Sequence, residues 1–166
     1  MRRVVILGRG GAGKSVLARQ LGELTGISVI ELDSVFWQQG PSPTLAEDWV
    51  ARQRDLVTGE TWILDGDLGP YDSGLSGRLA AADTIIVLDF GFVRCAWRTL
   101  RRGREQAEYW HWVWSYRRRS LPRLRVAIVA HLPRAQVHVL RDPGMVRRFL
   151  ARVRDGHLAG QGDYRG

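Results

Sequence analysis

Five short apolar runs, separated by segments with helical spacing, dominate the pattern of hydrophobic and polar positions along the chain. Apolar runs of this length are typical of buried strands. They predict strands at 3–7, 27–32, 60–64, 84–88 and 136–140. Because strands that alternate with helices form parallel sheets with right-handed crossovers, the pattern predicts a five-stranded parallel sheet with helices on both faces.

Helix-start and helix-stop signals mark the amino-terminal half of the chain. The first helix is predicted over 15–24, with Leu24 on its core-facing side, and Gly26 is expected to end it. Residues 34–43 are predicted to form a loop. A Thr-Leu-Ala-Glu capping box then opens the second helix, which is predicted over 44–57.

Helical spacing also dominates the carboxyl-terminal half. Two helices are predicted there, over 92–104 and over 106–130, and Pro122 is expected to interrupt the second. Asp142 followed by Pro143 is a typical helix start, with an N-cap side chain and a proline in the first turn. It predicts a last helix that runs to about residue 154.

A glycine-rich loop joins the first predicted strand to the first predicted helix. Residues 8–15 read Gly-Arg-Gly-Gly-Ala-Gly-Lys-Ser, which fits the phosphate-binding loop (P-loop) pattern G-x-x-x-x-G-K-[ST]. Glycines let successive backbone N–H groups turn inward toward a phosphate, and the helix adds its positive end. The predicted nucleotide-binding residues are therefore Gly8, Gly10, Gly11, Ala12, Gly13, Lys14, Ser15 and Val16.

The two last residues of this motif carry its side-chain chemistry. Lys14 is expected to reach the β- and γ-phosphates of ATP, and Ser15 is expected to offer its hydroxyl to Mg²⁺. Lys14 is the only lysine among the 25 Lys and Arg residues of the chain. A compact ammonium fits between phosphate oxygens where a planar guanidinium would not. A glycine-rich turn that binds nothing is the alternative, and the flanking strand and helix argue against it.

The bulk composition is that of an ordinary soluble domain. The chain has 166 residues, of which 45% are hydrophobic and 25% are charged. We expect one P-loop domain over 1–155 and a flexible tail over 156–166. We expect neither a membrane span nor a signal peptide, since no apolar run is long enough and the first strand begins almost at once. A single cysteine, Cys95, suits a reducing cytoplasm.

Positive charge is concentrated in the second half of the chain. The formal net charge is +8, and residues 94–154 contain 16 arginines against three acidic residues. Such a balance favours anionic partners, either polyphosphates or a nucleic acid. A solvated, arginine-rich helix surface is the other explanation, and the sequence leaves both open.

Several segments resemble the adenylate-kinase-like P-loop kinases, and among them the small bacterial topology modulation (FlaR-like) kinases. The matching segments are 8–15, 31–37, 62–67, 82–89, 112–119, 139–141 and 147–150. The resemblance implies a P-loop NTPase fold of three α/β/α layers, with the sheet order 2-3-1-4-5 and ATP as the phosphate donor. The chain departs from the family pattern in two places. Asp67 replaces the usual asparagine, and the arginine-bearing lid, expected after the helix predicted over 92–104, looks shortened.

Aspartates that follow predicted strands are the candidate carboxylates of the site. Asp65 is expected to hold Mg²⁺, directly or through water, and Asp89 is its rival because it also ends a strand. Asp33 is the candidate for orienting an acceptor hydroxyl and taking its proton. Each aspartate also suits a helix cap, and the resemblance favours the functional roles of Asp65 and Asp33. Phe36 and Trp37 either wall the acceptor pocket or belong to the core.

Arginines supply the remaining candidate groups. Arg98 and Arg102 share a helix face, and in similar kinases arginines at this place stack on adenine and clamp phosphates. Arg117, the first of three consecutive arginines, is expected to stabilise charge in the transition state. Arg141 lies where related kinases hold the adenine edge with backbone groups. A solvated helix face is the alternative for each arginine of the 117–119 run.

Taken together, these residues predict a cytoplasmic kinase that uses ATP and Mg²⁺. Its acceptor is expected to be a small hydroxyl-bearing molecule or a nucleotide. The alternative is a nucleic-acid-binding P-loop protein, or a polynucleotide kinase, whose basic half carries interleaved tryptophans. A nucleoside monophosphate kinase ranks third, since only Arg52 and Arg54 lie between residues 22 and 61 to clamp a monophosphate. The sequence is compatible with a monomer and with a homodimer.

Overall fold

The computed structural model describes residues 1–36, 46–68, 72–102, 107–131 and 134–156, and the backbone alone at 102, 107–113, 115, 117 and 119. In these ranges the strands β1 to β5 span Arg3–Gly8, Val29–Glu31, Trp62–Asp65, Thr84–Leu88 and Gln136–Leu140. The helices α1 to α7 span Lys14–Thr25, Leu32–Phe36, Ala46–Leu56, Leu75–Ala81, Phe92–Arg102, Ala107–Val129 and Pro143–Arg154.

The strands form one parallel sheet in the order β2-β3-β1-β4-β5. In the central strand β1, Ile6 lies opposite Asp65 of β3, and Gly8 lies opposite Leu88 of β4. This order confirms the predicted α/β architecture. The carboxyl ends of parallel strands meet at one edge of the sheet, where ligands bind in open α/β folds. The glycine-rich loop leaves β1 at that edge.

The core consists of two apolar clusters, one on each face of the sheet. Alternate residues of β1 divide between them, because successive side chains of a strand point to opposite faces. Val5 and Leu7 join a cluster with α2, α3, α4 and α6, while Val4 and Ile6 join a cluster with α1, α5 and α7. Burial on both faces explains why the strands are continuous apolar runs rather than alternating ones.

The predicted loop at 34–43 is wrong for residues 34–36, which belong to α2. Both ends of this short helix are buried, at Leu32 and at Phe36. The ring of Phe36 packs edge-on against Trp49 of α3, with the centroids 5.0 Å apart. Phe36 is therefore a core residue, while Trp37 lies outside the described residues.

The predicted interruption at Pro122 is also wrong, because α6 continues through it. Proline removes one backbone hydrogen bond and usually kinks or breaks a helix. Here the buried side chains of Leu121, Leu124 and Ile128 bind this part of α6 to the core. Most helical stability in proteins comes from such packing rather than from local propensity, and in α6 packing prevails.

The first helix follows the sequence prediction except at its end. Its buried residues are Leu17, Ala18 and Leu21, and Leu24 is exposed. A Cβ atom on Gly22 would lie 2.8 Å from Cγ2 of Val29, so Gly22 is the residue that faces β2 there. As predicted, Gly26 ends the helix, and its backbone N–H donates to the carbonyl of Gly22.

A buried ion pair fixes the segment between β3 and α4. The Arg78 guanidinium donates to both carboxylate oxygens of Asp72, at 2.7 and 2.8 Å, and also to the side-chain oxygen of Gln53. Both charged side chains are almost fully buried. A bidentate arginine–carboxylate pair is among the strongest of such contacts, so it holds Asp72 and the start of α4 firmly against α3.

No described helix combines the length and the apolar character that would be needed to cross a membrane.

Candidate nucleotide-binding site

The glycine-rich loop is packed tightly between the sheet and α5. Gly11 has a φ of +77°, and a Cβ atom there would lie 2.4 Å from the backbone oxygen of Cys95 and 2.6 Å from Oγ1 of Thr99. A side chain at this position would be strained by its φ and would clash with α5. The sequence pattern of the P-loop thus matches a real steric requirement in the folded chain.

Lys14 begins α1 and lies back across the loop. Its Nζ donates to the backbone oxygen of Gly8 at 2.9 Å. The ammonium group therefore lies at the carboxyl end of β1, next to the inward-turning loop. Burial raises the pKa of both Asp33 and Asp65, and the nearby positive charge of Lys14 opposes the rise at each carboxyl group. The structure thus brings together the three residues that the sequence singled out.

Asp65 is the buried carboxylate of this group. Its side chain is on the last residue of β3, and the residue is only 4% exposed. Burial raises the pKa of Asp65 above its ordinary value. The Ser15 hydroxyl and the charge of Lys14 oppose that rise, and the nearby carboxylates of Asp33 and Glu31 add to it. Oδ1 of Asp65 has no hydrogen-bond partner among the described residues.

An oxygen with this setting suits a divalent cation. A buried carboxylate oxygen without a donor is costly, and a cation would satisfy it. Carboxylates and hydroxyls are the protein ligands that Mg²⁺ prefers. Asp65 and Ser15 therefore fit the metal role that the sequence predicts for them. Among the described residues there is no group of three or more His, Cys, Asp or Glu residues arranged as a metal cage.

Asp33 lies in the first turn of α2 rather than at the end of a strand. The residue is exposed, yet surrounding protein still desolvates its carboxyl group enough to raise the pKa. The negative charges of Glu31 and Asp72 raise the pKa further, and Lys14 opposes them. Because α2 is anchored by core residues at both ends, the Asp33 side chain projects from a fixed element rather than from a loop.

Arg98 is the candidate arginine that the structure places against the loop. A Cβ atom on Gly13 would lie 3.1 Å from Nη1 and 3.3 Å from Nη2 of Arg98. Arg102 and Arg117 lie on α5 and α6, and their side chains are outside the described part of the chain. Arg141 is exposed ahead of α7, and its backbone N–H donates to the sulfur of Met145 at 3.4 Å. The roles of all four arginines stay predictions.

Asp89, the rival of Asp65, has a different setting. It follows β4 and is buried, and its backbone N–H donates to the carbonyl of Leu140 at 3.0 Å. The Ser15 hydroxyl lowers the pKa of Asp65, which indicates that it lies close to that carboxylate. This arrangement favours Asp65 as the residue beside the P-loop serine. The shortened lid falls at 103–106, which is outside the described residues.

Sequence reasoning assigned no role to four residues that are linked by contacts beside the loop. Arg9 of the P-loop lies between the rings of Phe92 and Tyr116, and Tyr116 donates a hydrogen bond to Asp67. The available signal was an arginine inside a glycine loop, together with a tyrosine in the 112–119 segment. Neither indicates the other, because they are far apart in the chain and meet only in the folded protein.

Comparison with solved structures identifies the fold. A shikimate kinase from Acinetobacter baumannii, solved in complex with shikimate, has a TM-score of 0.65 and 16% identity. That match covers 92% of this chain and 90% of the kinase. A gluconokinase from Sinorhizobium meliloti has a TM-score of 0.53 and 15% identity, with 93% of this chain and 94% of that chain covered.

A deoxyadenosine kinase from M. mycoides, solved with bound dCTP, has the same architecture. Its TM-score is 0.52 at 13% identity, and the match covers 92% of this chain and 98% of that chain. At such identities the similarity shows the fold, and the fold is that of the P-loop kinases. No protein-family model and no curated protein sequence matches the chain.

Proposed function

We propose that this protein is an ATP-dependent kinase that transfers the γ-phosphate to a hydroxyl group of a small molecule or a nucleotide. The observation that carries the proposal is the convergence of Lys14, Asp33 and Asp65 beside a P-loop, in a fold of the P-loop kinases. Phosphoryl transfer needs positioning and charge stabilisation more than covalent chemistry. These three residues offer both.

Each residue has a distinct part in the proposed reaction. The backbone of the loop and Lys14 bind the β- and γ-phosphates, with Arg98 adding positive charge beside Gly13. Ser15 and Asp65 would hold Mg²⁺, which neutralises phosphate charge when bound. Asp33 orients the acceptor hydroxyl and takes its proton as the oxygen attacks the γ-phosphorus. The bond from that phosphorus to the β–γ bridging oxygen breaks, and ADP leaves.

The raised pKa of Asp33 fits this role. A carboxylate whose pKa is raised holds a proton more tightly and is therefore a better general base, provided the pH keeps it ionised. Arg102 and Arg117 are proposed to stabilise the transition state, and Arg141 to contact the adenine edge. We also propose that the protein is cytoplasmic and belongs to the FlaR-like group that its sequence resembles.

The test of the proposed function is Lys14→Ala. ADP release should be measured with wild-type protein over alcohols, nucleosides, nucleotides and oligonucleotides with a 5′-hydroxyl, above the rate without acceptor. With the best acceptor, Lys14→Ala should lose about 10³-fold in kcat/KM, the scale of a preorganised cation on a transferring phosphoryl group. Far-UV circular dichroism should be unchanged.

The matched control is Arg2→Met, which also removes one cation but at the opposite end of the sheet. It should retain the wild-type rate. Undiminished turnover in Lys14→Ala would contradict the proposal, and so would the lack of ATP turnover with every acceptor.

A second candidate function rests on exposed tryptophans in the basic half of the chain. Trp97 of α5 is 54% exposed and Trp114 of α6 is 66% exposed, and the Arg101 guanidinium stacks on Trp97 at 3.8 Å from the ring centroid. Aromatic rings flanked by arginines are typical of single-strand nucleic-acid surfaces. Binding to a single-stranded oligonucleotide, with affinity falling steeply as salt rises, would support this function. A response that is flat in salt would oppose it.

A further inference from the structure

The side chain of Arg9 leaves the P-loop and is buried between two other elements. Arg9 directly follows Gly8, and it is only 2% exposed. Its Cζ lies 5.7 Å from the ring centroid of Phe92, at the start of α5, and 5.6 Å from the ring centroid of Tyr116, in α6. A guanidinium is planar and weakly hydrated, so it packs against aromatic faces more readily than an ammonium does.

Tyr116 is itself held in place from the sheet side. It is buried, and its hydroxyl donates to Oδ2 of Asp67 at 2.9 Å. Burial first, and then the charge of Asp67 and its hydrogen bond, raise the pKa of Tyr116 well above the ordinary value, while the charge of Arg9 opposes them. The hydroxyl therefore remains a donor at physiological pH. Asp67 lies two residues after Asp65, so the chain that carries the metal candidate also anchors this ring.

The backbone of Arg9 belongs to the phosphate-binding turn. Its carbonyl accepts the N–H of Ala12 at 3.1 Å, which closes the first turn of the loop. The side chain and the backbone of one residue thus serve different parts of the protein. The side chain is bound by α5 and α6, and the backbone shapes the loop that is proposed to surround the phosphates of ATP.

We propose that Arg9 is a positioning residue that ties the P-loop to α6, so that nucleotide binding and the position of α6 depend on each other. The inference rests on the proposed function for its catalytic consequence, because Tyr116 immediately precedes Arg117, the candidate for transition-state stabilisation. It also accounts for burial of the Arg9 side chain. An arginine that contacted phosphate directly would present its guanidinium to the open hollow of the loop.

Coupling of this kind is reciprocal, and that property makes it testable. Arg9→Met removes the guanidinium, Tyr116→Leu removes the ring, and Tyr116→Phe keeps the ring without the hydroxyl. Hydrogen exchange of backbone amides should be measured in 8–15 and in 114–121 without nucleotide, and the Kd for ATP with Mg²⁺ should be measured by calorimetry. Val126→Ser is the control, because Val126 is on α6 and is 74% exposed.

A substitution in the P-loop is expected to affect α6, and a substitution in α6 is expected to affect the P-loop. Tyr116→Leu should speed exchange in 8–15 by about tenfold, and Arg9→Met should do the same in 114–121. Each should weaken ATP binding about tenfold, and the loss in the double variant should be clearly smaller than the sum of the two single losses, because both variants remove the shared Arg9–Tyr116 contact. Arg9→Lys and Tyr116→Phe should fall between wild type and these variants. Val126→Ser should leave the loop unchanged.

Two results would overturn the inference. One is unchanged exchange of 8–15 in both Tyr116 variants, and the other is additive loss of ATP affinity in the double variant. If Tyr116→Leu does not fold, hydrogen exchange and the Kd for ATP in Tyr116→Phe and Arg9→Lys test the inference instead. Failure of the proposed function is a separate outcome. A wild-type protein that transfers no phosphate to any acceptor would contradict the kinase assignment, while the exchange measurements would still decide the coupling.

Discussion

Asp65 and Asp83 lie at opposite ends of the sheet, next to the two strands that flank β1, and their surroundings differ in kind. Asp83 precedes β4 at the amino end. One of its carboxylate oxygens accepts the backbone N–H groups of Arg2 and Arg3, at 2.8 and 3.0 Å, and the other accepts the Thr84 hydroxyl at 2.7 Å. Asp65, at the carboxyl end, is more deeply buried and keeps one oxygen without a described partner.

The contrast separates a structural carboxylate from one that is available to a ligand. At the amino end both oxygens of the Asp83 carboxylate are satisfied by the protein itself. An open cavity of about 490 Å³ there is lined by Arg2, Arg3, Glu60, Ala80, Ala81, Ala82, Asp83 and Arg134, and it contains no P-loop residue. At the carboxyl end, a buried oxygen of Asp65 without a hydrogen-bond partner in the described part of the chain persists near Lys14. Features that cost stability persist where the surrounding structure holds them, commonly at functional sites.

The strongest way to test this contrast is Asp65→Asn. It should lower kcat/KM by about 10²- to 10³-fold, since an amide is a poor substitute for a carboxylate beside a divalent cation and phosphates. The same change should raise the free energy of unfolding at pH 7 by about 1 kcal/mol, because it removes a desolvated charge. Steady-state kinetics and urea unfolding measure the two effects. Loss of both activity and stability would contradict the assignment.

The pH dependence of the free energy of unfolding independently tests whether the pKa of Asp65 is raised. Because the pKa of Asp65 is raised in the folded state, the folded protein holds this proton more tightly than the unfolded chain. Its contribution to the free energy of unfolding therefore falls as pH rises from the ordinary carboxyl range through the raised pKa. Asp65→Asn should remove that fall. The acid limb of wild-type activity should also lie above the range of an ordinary aspartate, because the pKa of the proposed general base Asp33 is raised by burial.

The next effect is expected from Gly11→Ala. The new Cβ would meet the backbone oxygen of Cys95, so the loop must move away from α5. A displacement of the phosphate-binding loop by about 1 Å is expected to reduce kcat/KM by about 10²-fold. Gly26→Ala is the control, since Gly26 also has a positive φ, of +71°, but no atom near its Cβ position. Only the first variant should lose ATP affinity in calorimetry.

Asp83→Ala should affect stability alone. It leaves the backbone N–H groups of Arg2 and Arg3 without their acceptor, and because both hydrogen bonds are exposed to water the free energy of unfolding should fall by only about 1 kcal/mol. The kcat and KM for ATP should not change, because the site is at the other end of the sheet. Denaturant titration and kinetics on the same preparation check both statements. A change in KM would show that the two ends are not independent.

The smallest effect should come from Arg2→Met. Arg2 pairs with Glu60 at 3.1 Å, and both side chains are largely exposed to solvent. Exposed ion pairs contribute less than about 1 kcal/mol, and salt screens them further. Thermal unfolding of this variant should therefore match the wild type within about 2 °C in moderate salt. A larger loss would mean that the Arg2 stem packs against the sheet edge.

Sequence reasoning was most successful where a structure depends on neighbouring residues. The apolar runs gave the five strands, and the Asp142–Pro143 start of α7 is confirmed, with Oδ1 of Asp142 accepting the backbone N–H of Met145 at 2.9 Å. The motif also predicted a curled glycine loop, and Gly11 in that loop has the positive φ that glycine permits. Strand periodicity, capping and glycine conformation are local properties, so they can be read from short stretches of sequence.

The predictions that failed are those in which packing overrules a local rule. Pro122 did not interrupt α6, and residues 34–36 did not remain a loop, because buried side chains on either side hold both segments. This affects the site directly. Asp33 was expected at the end of a strand, and it lies instead in the first turn of a short helix. The domain boundary at 155 and the flexible tail stay predictions, since residues 157–166 are outside the described part of the chain.

By itself, the sequence determined that this chain has a P-loop between a buried strand and a helix, with aspartates at the ends of neighbouring strands. Only the tertiary structure decided which groups meet there. Tyr116 and Asp67 are 49 residues apart, and Arg9 is farther still from Tyr116. No spacing rule connects such residues, because their contact depends on how α6 packs across the sheet. A motif fixes the shape of its own loop, whereas the contacts that hold the loop in place are settled when the whole core packs.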